Sequence, residues 1–72
     1  MSTRRRTKLV REGGYVAEVE VDLIEDATGW SPYLSVADAE KLDQVRLALK
    51  ADDTRAAGRL ARVYRLTPVS TS

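Results

Sequence analysis

Three carboxylates at alternate positions form the first pattern in this sequence that could support chemistry. Glu18, Glu20 and Asp22 alternate with apolar residues in the segment YVAEVEVDLI. Successive side chains of a β-strand point to opposite faces, so these carboxylates would share one face. Their oxygens could together hold a divalent cation. A solvated or salt-bridged face is the commoner outcome, and we therefore predict no metal site, no cofactor and no catalytic residue.

Basic residues form two further clusters, and such clusters are the usual contacts to nucleic-acid phosphates. Residues 1–11 contain five bases and residues 55–72 contain four arginines, with no acid in either segment. On a helix, three of those arginines would form a stripe at i, i+4 and i+7 spacing. The candidates for nucleic-acid contact are Arg4, Arg5, Arg6, Arg55, Arg59, Arg62 and Arg65.

Residue types that most enzymes use are missing from the chain. It contains no histidine and no cysteine, so the usual general bases, thiol nucleophiles and zinc ligands are absent. Gly13 and Gly14 stand between two strand-like segments and not before a helix, unlike a phosphate-binding loop. We therefore expect a protein that is not an enzyme.

A chain of 72 residues makes one small domain whose core is marginal by itself. We expect a partner protein or a second copy, as in a homodimer, to supply further burial. Neither a secretory signal nor an apolar run of membrane-spanning length is present, so a cytoplasmic location without membrane contact is predicted. The predicted domains are a partly disordered basic arm at 1–6, a single domain at 7–69 and a frayed tail at 70–72.

The segment Tyr15–Ile24 has the period of a half-buried strand, with its odd-numbered residues facing inward. Thr7–Arg11 reads as a preceding strand, joined through the loop Glu12-Gly13-Gly14. A three-residue loop sets Lys8 opposite Glu18. In this register the acids of the second strand neutralise the basic arm, which argues against nucleic-acid binding.

Proline, capping and helical patterns predict the remaining elements. Trp30–Leu34 reads as a short edge strand because Pro32 lacks an N–H. A helix from Val36 to about Ala51 follows, capped by Ser35 with Asp38 at the third position. A second helix runs from Thr54 to about Tyr64, and a last strand could follow at 64–69. The predicted core comprises Tyr15, Ala17, Val19, Val21, Leu23, Leu42, Val45, Leu49, Leu60 and Tyr64.

Two apolar residues on the first helix fall outside this core pattern. Leu47 lies nearly opposite the inward stripe, close to Val36 on the helix surface. A single exposed leucine is common in folded proteins. The functional alternative makes Leu47 and Val36 contacts to a partner protein or to a second copy.

The order of elements from Ser31 to Tyr64 is similar to that of ribbon-helix-helix repressors, although a longer hairpin precedes it here. The runs GGYVAEVEVDLIED, GWSPYLS, DAEKLDQVRLAL and RLARVYRLTPV resemble a group of short, uncharacterised prokaryotic proteins. That resemblance implies an antitoxin-like or small regulatory protein that binds another protein, and it assigns no site residue.

The residues together predict an α+β domain. A small antiparallel sheet, made of a β-hairpin and a short edge strand, carries an αα-hairpin on one face, with a C-terminal strand as an open alternative. The predicted function is a non-catalytic interaction module, and the alternative is a transcriptional regulator that binds nucleic acid.

Overall fold

The computed structural model describes residues 2–25 and 32–70. It has the α+β architecture that the sequence predicts, with a four-stranded antiparallel sheet and two helices packed on one face. Met1, the segment 26–31 and the last two residues lie outside the described residues, and so do the predicted strand residues Trp30 and Ser31. The elements are β1 (Ser2–Glu12), β2 (Tyr15–Glu25), β3 (Tyr33–Leu34), α1 (Val36–Lys50), α2 (Thr54–Leu60) and β4 (Arg62–Arg65).

The hairpin of β1 and β2 differs from the prediction by one residue in register. Glu12 pairs with Tyr15 across a two-residue turn, so Lys8 lies opposite Val19 and not opposite Glu18. Gly13 has a φ of 59°, the left-handed conformation that a tight hairpin turn demands at its first central residue. The predicted three-residue loop is therefore wrong. Two-residue turns of this kind match the right-handed twist of the strands, and here this preference prevails over base-to-acid pairing.

This register exchanges the faces of β1. Val10, opposite Ala17, is buried in the core, whereas Leu9 points to the other face and is 67% exposed. The shift of one residue reverses every side chain of the strand, because the strand repeats every two residues.

The sequence predicts a separate, partly disordered basic arm at residues 1–6. Of this arm the structure describes residues 2–6, and they do not form a separate segment. Residues 2–6 belong to β1 and pair with residues 21–25 of β2. The pairing extends this far because β2 continues to Glu25 and offers a partner to each residue of β1.

The core lies between the sheet and the helices and is built from small side chains. Its buried members are Val10, Ala17, Val19, Val21, Val45, Leu49 and Ala57. Five of these were predicted, whereas Val10 and Ala57 were not. The predicted burial of Leu60 and Tyr64 is wrong, since both are exposed.

The error at Tyr64 follows from the early end of α2. The helix ends at Leu60, and the chain pairs as β4 from Arg62 onward, two residues before the predicted strand start. Backbone pairing of β4 with residues 15–18 of β2 replaces the last helical turn. Tyr64 consequently lies opposite Val16, on the face of the sheet away from α1 and α2.

Capping fixes the starts of both helices. The Asp38 backbone N–H donates to Ser35 Oγ at 3.1 Å, as the sequence predicts. At α2, the Ala56 N–H donates to Asp53 Oδ1 at 3.1 Å.

Along one edge of β2, residues 19–22 pair with no strand from the described residues and instead contact the helix α1. β3 and β4 share one edge of β2 but cover only residues 23–24 and 15–18, leaving a gap at residues 19–22. Within that gap the Asp22 N–H donates to Asp38 Oδ2 at 2.8 Å. Lys41 Nζ donates to the Glu20 carbonyl oxygen at 2.8 Å. The first turns of α1 thus satisfy backbone groups of the sheet, which anchors the helix across it.

Candidate functional site

The longest free backbone in the structure is the outer edge of β1. This strand has 11 residues and pairs on one side with β2; the sheet order gives it no second strand neighbour among the described residues. Next to a two-residue turn, Glu12 and Tyr15 form a hydrogen-bonded pair, and the backbone direction alternates from there. The N–H and C=O groups that point away from the sheet are therefore those of Thr3, Arg5, Thr7, Leu9 and Arg11.

The gap in strand pairing at residues 19–22 of β2 gives independent support for the direction of the backbone groups in β1. Alternation places the backbone groups of the even-numbered β2 residues on the edge away from β1. Glu20 and Asp22 are the residues whose backbone groups bind Lys41 and Asp38 on that edge. Continued across the turn, the same alternation directs the backbone N–H and C=O groups of the odd-numbered β1 residues away from the sheet.

Basic side chains line both faces of this edge. On the helix-bearing face, Arg6 lies opposite Val21 and Lys8 lies opposite Val19, and all the side chains of this row from Arg4 to Lys8 are exposed. Arg4 Nε is 3.7 Å from Glu25 Oε1. For Arg6 and Lys8, the described part of the chain contains no ion pair. The expected neutralisation of Lys8 and Arg6 by Glu18 and Glu20 is therefore absent.

The opposite face of the sheet carries no helix from the described residues and mixes charged and apolar groups. Arg5 bridges two acids of β2, with Nη1 3.5 Å from Glu20 Oε2 and Nε 3.7 Å from Asp22 Oδ1. At the turn end of this face, a shallow depression has mostly apolar walls, and the Leu66 N–H donates to the Gly14 carbonyl at 2.7 Å beside it. Its lining includes Leu9, Val16, Leu66 and Pro68. We call this the bare face.

The predicted arginine stripe is divided between two elements. Arg55 and Arg59 lie on α2, whereas Arg62 and Arg65 lie on β4 and point to opposite faces of the sheet. A side-chain hydrogen bond to Tyr64 and the negative charge of Glu18 raise the pKa of Arg62 above its ordinary value. Arg62 lies opposite Glu18 on the bare face. The stripe prediction is wrong as one continuous surface because α2 ends too early to carry Arg62.

The two helix residues predicted as partner contacts are both exposed, Val36 at 75% and Leu47 at 65%. Eleven residues separate them along α1, which places them on one side of the helix but about 16 Å apart. The exposed acids Glu40 and Asp43 lie between them. They therefore form two separate apolar points and not one patch.

Sequence reasoning missed the free edge and the apolar end of the bare face. The dipeptide Gly13-Gly14 was the available signal, since two glycines between strand-like segments indicate a two-residue hairpin turn. That turn fixes both the outward position of Leu9 and the direction of each backbone group in β1.

Within the ranges 2–25 and 32–70, no cluster of three or more acidic side chains is arranged to hold a metal ion, and no polar side chain is buried. No helix in the same ranges is long and apolar enough to cross a membrane. Comparison with known proteins returns no match to a family model, a curated protein or a solved structure.

Proposed function

We propose that this chain is a non-catalytic interaction module that binds a partner protein in the cytoplasm, in the manner of an antitoxin or a small regulatory protein. One observation carries the proposal, which is the surface that residues 2–25 and 32–70 leave uncovered. The molecule measures 51 × 30 × 14 Å, with a radius of gyration of 14.7 Å. A compact chain of this length has a radius of gyration of about 11 Å.

The molecule is flat because its described residues form only two layers, the sheet built on a long hairpin and the helices that cover one face of it. The core that results contains only valine, alanine and leucine side chains. Larger apolar side chains, including Leu9, Tyr33 and Tyr64, stay exposed outside it. A partner that covers the bare face or the free edge would add the burial that so small a core lacks.

Affinity capture from the native host tests the proposal. The tagged parent is compared with Leu9→Glu, which places a charge on the bare face, and with Leu47→Glu on α1. Gln44→Glu is the matched control, since it adds the same charge to an exposed position of α1 without removing an apolar group. We expect the parent and Gln44→Glu to retain one stoichiometric partner that Leu9→Glu or Leu47→Glu loses. A parent that captures no protein would contradict the proposal.

Nucleic-acid binding is the second candidate, and the hairpin register favours it more than the sequence does. Arg6 and Lys8 lie opposite valines, so the acids of β2 do not neutralise them. Against it, Glu18, Glu20 and Asp22 share the bare face, where they would repel phosphates. A duplex DNA gel shift at low and moderate salt distinguishes the two, because phosphate contacts make affinity fall steeply with salt. We expect no salt-sensitive shift.

A further inference from the structure

The free edge of β1 combines two features that specify the kind of partner it fits. Five residues direct their backbone N–H and C=O groups outward, and basic side chains stand on both faces beside them. Unpaired edges of this length are templates for strand pairing. We propose that an extended, acidic segment of the partner protein adds to the sheet as a strand along β1. This inference rests on the proposed function and names the chemistry of the partner.

The side chains of β1 define the pattern of the added strand. Residues directly opposite each other in an antiparallel pair share one face. On the helix-bearing face, Arg6 and Lys8 therefore select acids at two alternate positions. An acid opposite Arg4 would add to the single contact that Arg4 makes with Glu25. On the bare face, Leu9 selects an apolar residue. Arg5 is already bridged to Glu20 and Asp22, so it requires no acid from the partner.

A second copy of this chain fits the edge poorly. Two β1 strands paired antiparallel about Thr7 would set Arg6 opposite Lys8 twice. Registers centred on Arg6 or on Lys8 would set that residue opposite its own copy. Like charges directly opposite each other destabilise a strand pair, so the registers with the most extensive pairing are the ones that repulsion disfavours.

A phosphate backbone also fits less well than a strand. The bases of β1 alternate between the two faces of the sheet, so a nucleic acid lying on either face meets only part of them. On the bare face it would also meet Glu18, Glu20 and Asp22. A strand in the plane of the sheet reaches both rows of basic side chains. It also pairs with the outward N–H and C=O groups, whereas phosphate oxygens can only accept hydrogen bonds and leave the C=O groups without donors.

The probe is a synthetic nonapeptide, Glu-Val-Ile-Glu-Thr-Glu-Val-Glu-Thr, written to lie antiparallel opposite residues 11 to 3. Its control has lysine in place of each glutamate. Binding to the full chain is measured by titration calorimetry and by amide hydrogen exchange. We expect the acidic peptide to bind and the basic peptide to bind at least tenfold more weakly.

The decisive variant is Thr7→Pro, which removes an outward N–H without touching the pairing with β2. Its matched control is Thr7→Val, which loses the same hydroxyl but keeps the N–H. We expect Thr7→Pro to weaken peptide binding at least tenfold relative to Thr7→Val. Equal affinity for the two variants, or equal affinity for the two peptides, would overturn strand addition.

If Thr7→Pro does not fold, amide hydrogen exchange in the parent chain still tests strand addition. Strand addition slows exchange of the outward amides of Thr7 and Leu9, whereas the amide of Lys8 already faces β2 and serves as the internal control. Protection that appears on α1 and not on these amides would overturn the inference. So would displacement of the acidic peptide by a 20-base-pair DNA duplex, or a parent dimer that Thr7→Pro dissociates.

The two levels of the proposal fail in different ways. Host capture of a partner that does not depend on Thr7, with no peptide binding, would remove strand addition and leave the interaction module standing. A parent chain that captures no host protein would remove the proposed function itself, whatever the peptide does.

Discussion

The substitution of Val45 by alanine provides the sharpest test of how this small core is held together. Val45 is fully buried at the centre of the helix–sheet contact, and α1 offers a second valine, Val36, that is 75% exposed. Val45→Ala and Val36→Ala therefore make the same chemical change on the same helix. The difference between them isolates the contribution of burial.

The magnitude follows from the atoms removed. Deleting the two γ-methyl groups of Val45 forfeits about 1.6 kcal/mol of transfer free energy, at about 0.8 kcal/mol per buried carbon. The cavity that remains adds about 1 kcal/mol, because a packed core relaxes only partly. The better helix propensity of alanine returns about 0.5 kcal/mol. We expect a net loss of about 2 kcal/mol for Val45→Ala and a change near zero for Val36→Ala.

Thermal and urea unfolding measure the outcome directly. Domains of this size have about 4–11 kcal/mol of stability in total, so the loss is a large fraction of it. The expected fall in Tm is about 8–16 °C for Val45→Ala. If the two variants melted within about 2 °C of each other, the packing of α1 on β2 described above would be refuted.

Further predictions concern the turn, the helix anchor and the register. Gly13→Ala should destabilise the chain by about 1–2 kcal/mol, because alanine is strained at a φ of 59°; Gly14→Ala, without a positive φ, should have a smaller effect in the same urea titration. Asp38→Ala should cost about 1–3 kcal/mol, because it orphans the Asp22 N–H, which now donates to Asp38 Oδ2 at 2.8 Å; a cost no larger than that of Glu40→Ala, an exposed acid on the same helix, would contradict this role. Cross-strand NOEs should connect Lys8 with Val19, and a connection of Lys8 with Glu18 would restore the three-residue loop.

The sequence by itself determines the elements whose signals are local. The alternation in β2 places Ala17, Val19 and Val21 in the core, where the structure also has them. Ser35 and Asp38 mark the start of α1, since capping depends on residues within one turn. Both predictions are confirmed because a strand face and a helix cap are specified within a few residues of chain.

Only the tertiary structure decides features that depend on a choice between two acceptable arrangements. Val10 and Leu9 are both apolar, and the choice of which one is buried depends on the register of the hairpin and on the helices that cover one face. Likewise, the end of α2 depends on whether residues 62–65 gain more from a helical turn or from pairing with β2. Neither competition can be resolved from adjacent residues.

The candidate site shows the same division between local and non-local information. The sequence shows that residues 4–11 are rich in arginine and lysine. Whether these side chains are neutralised depends on which residues of β2 lie opposite them. A shift of one residue moves Lys8 from Glu18 to Val19 and turns a self-neutralised arm into a basic strand edge. The functional reading of this chain therefore depends on a two-glycine turn, because that turn sets which side chains and which backbone groups β1 presents to a partner.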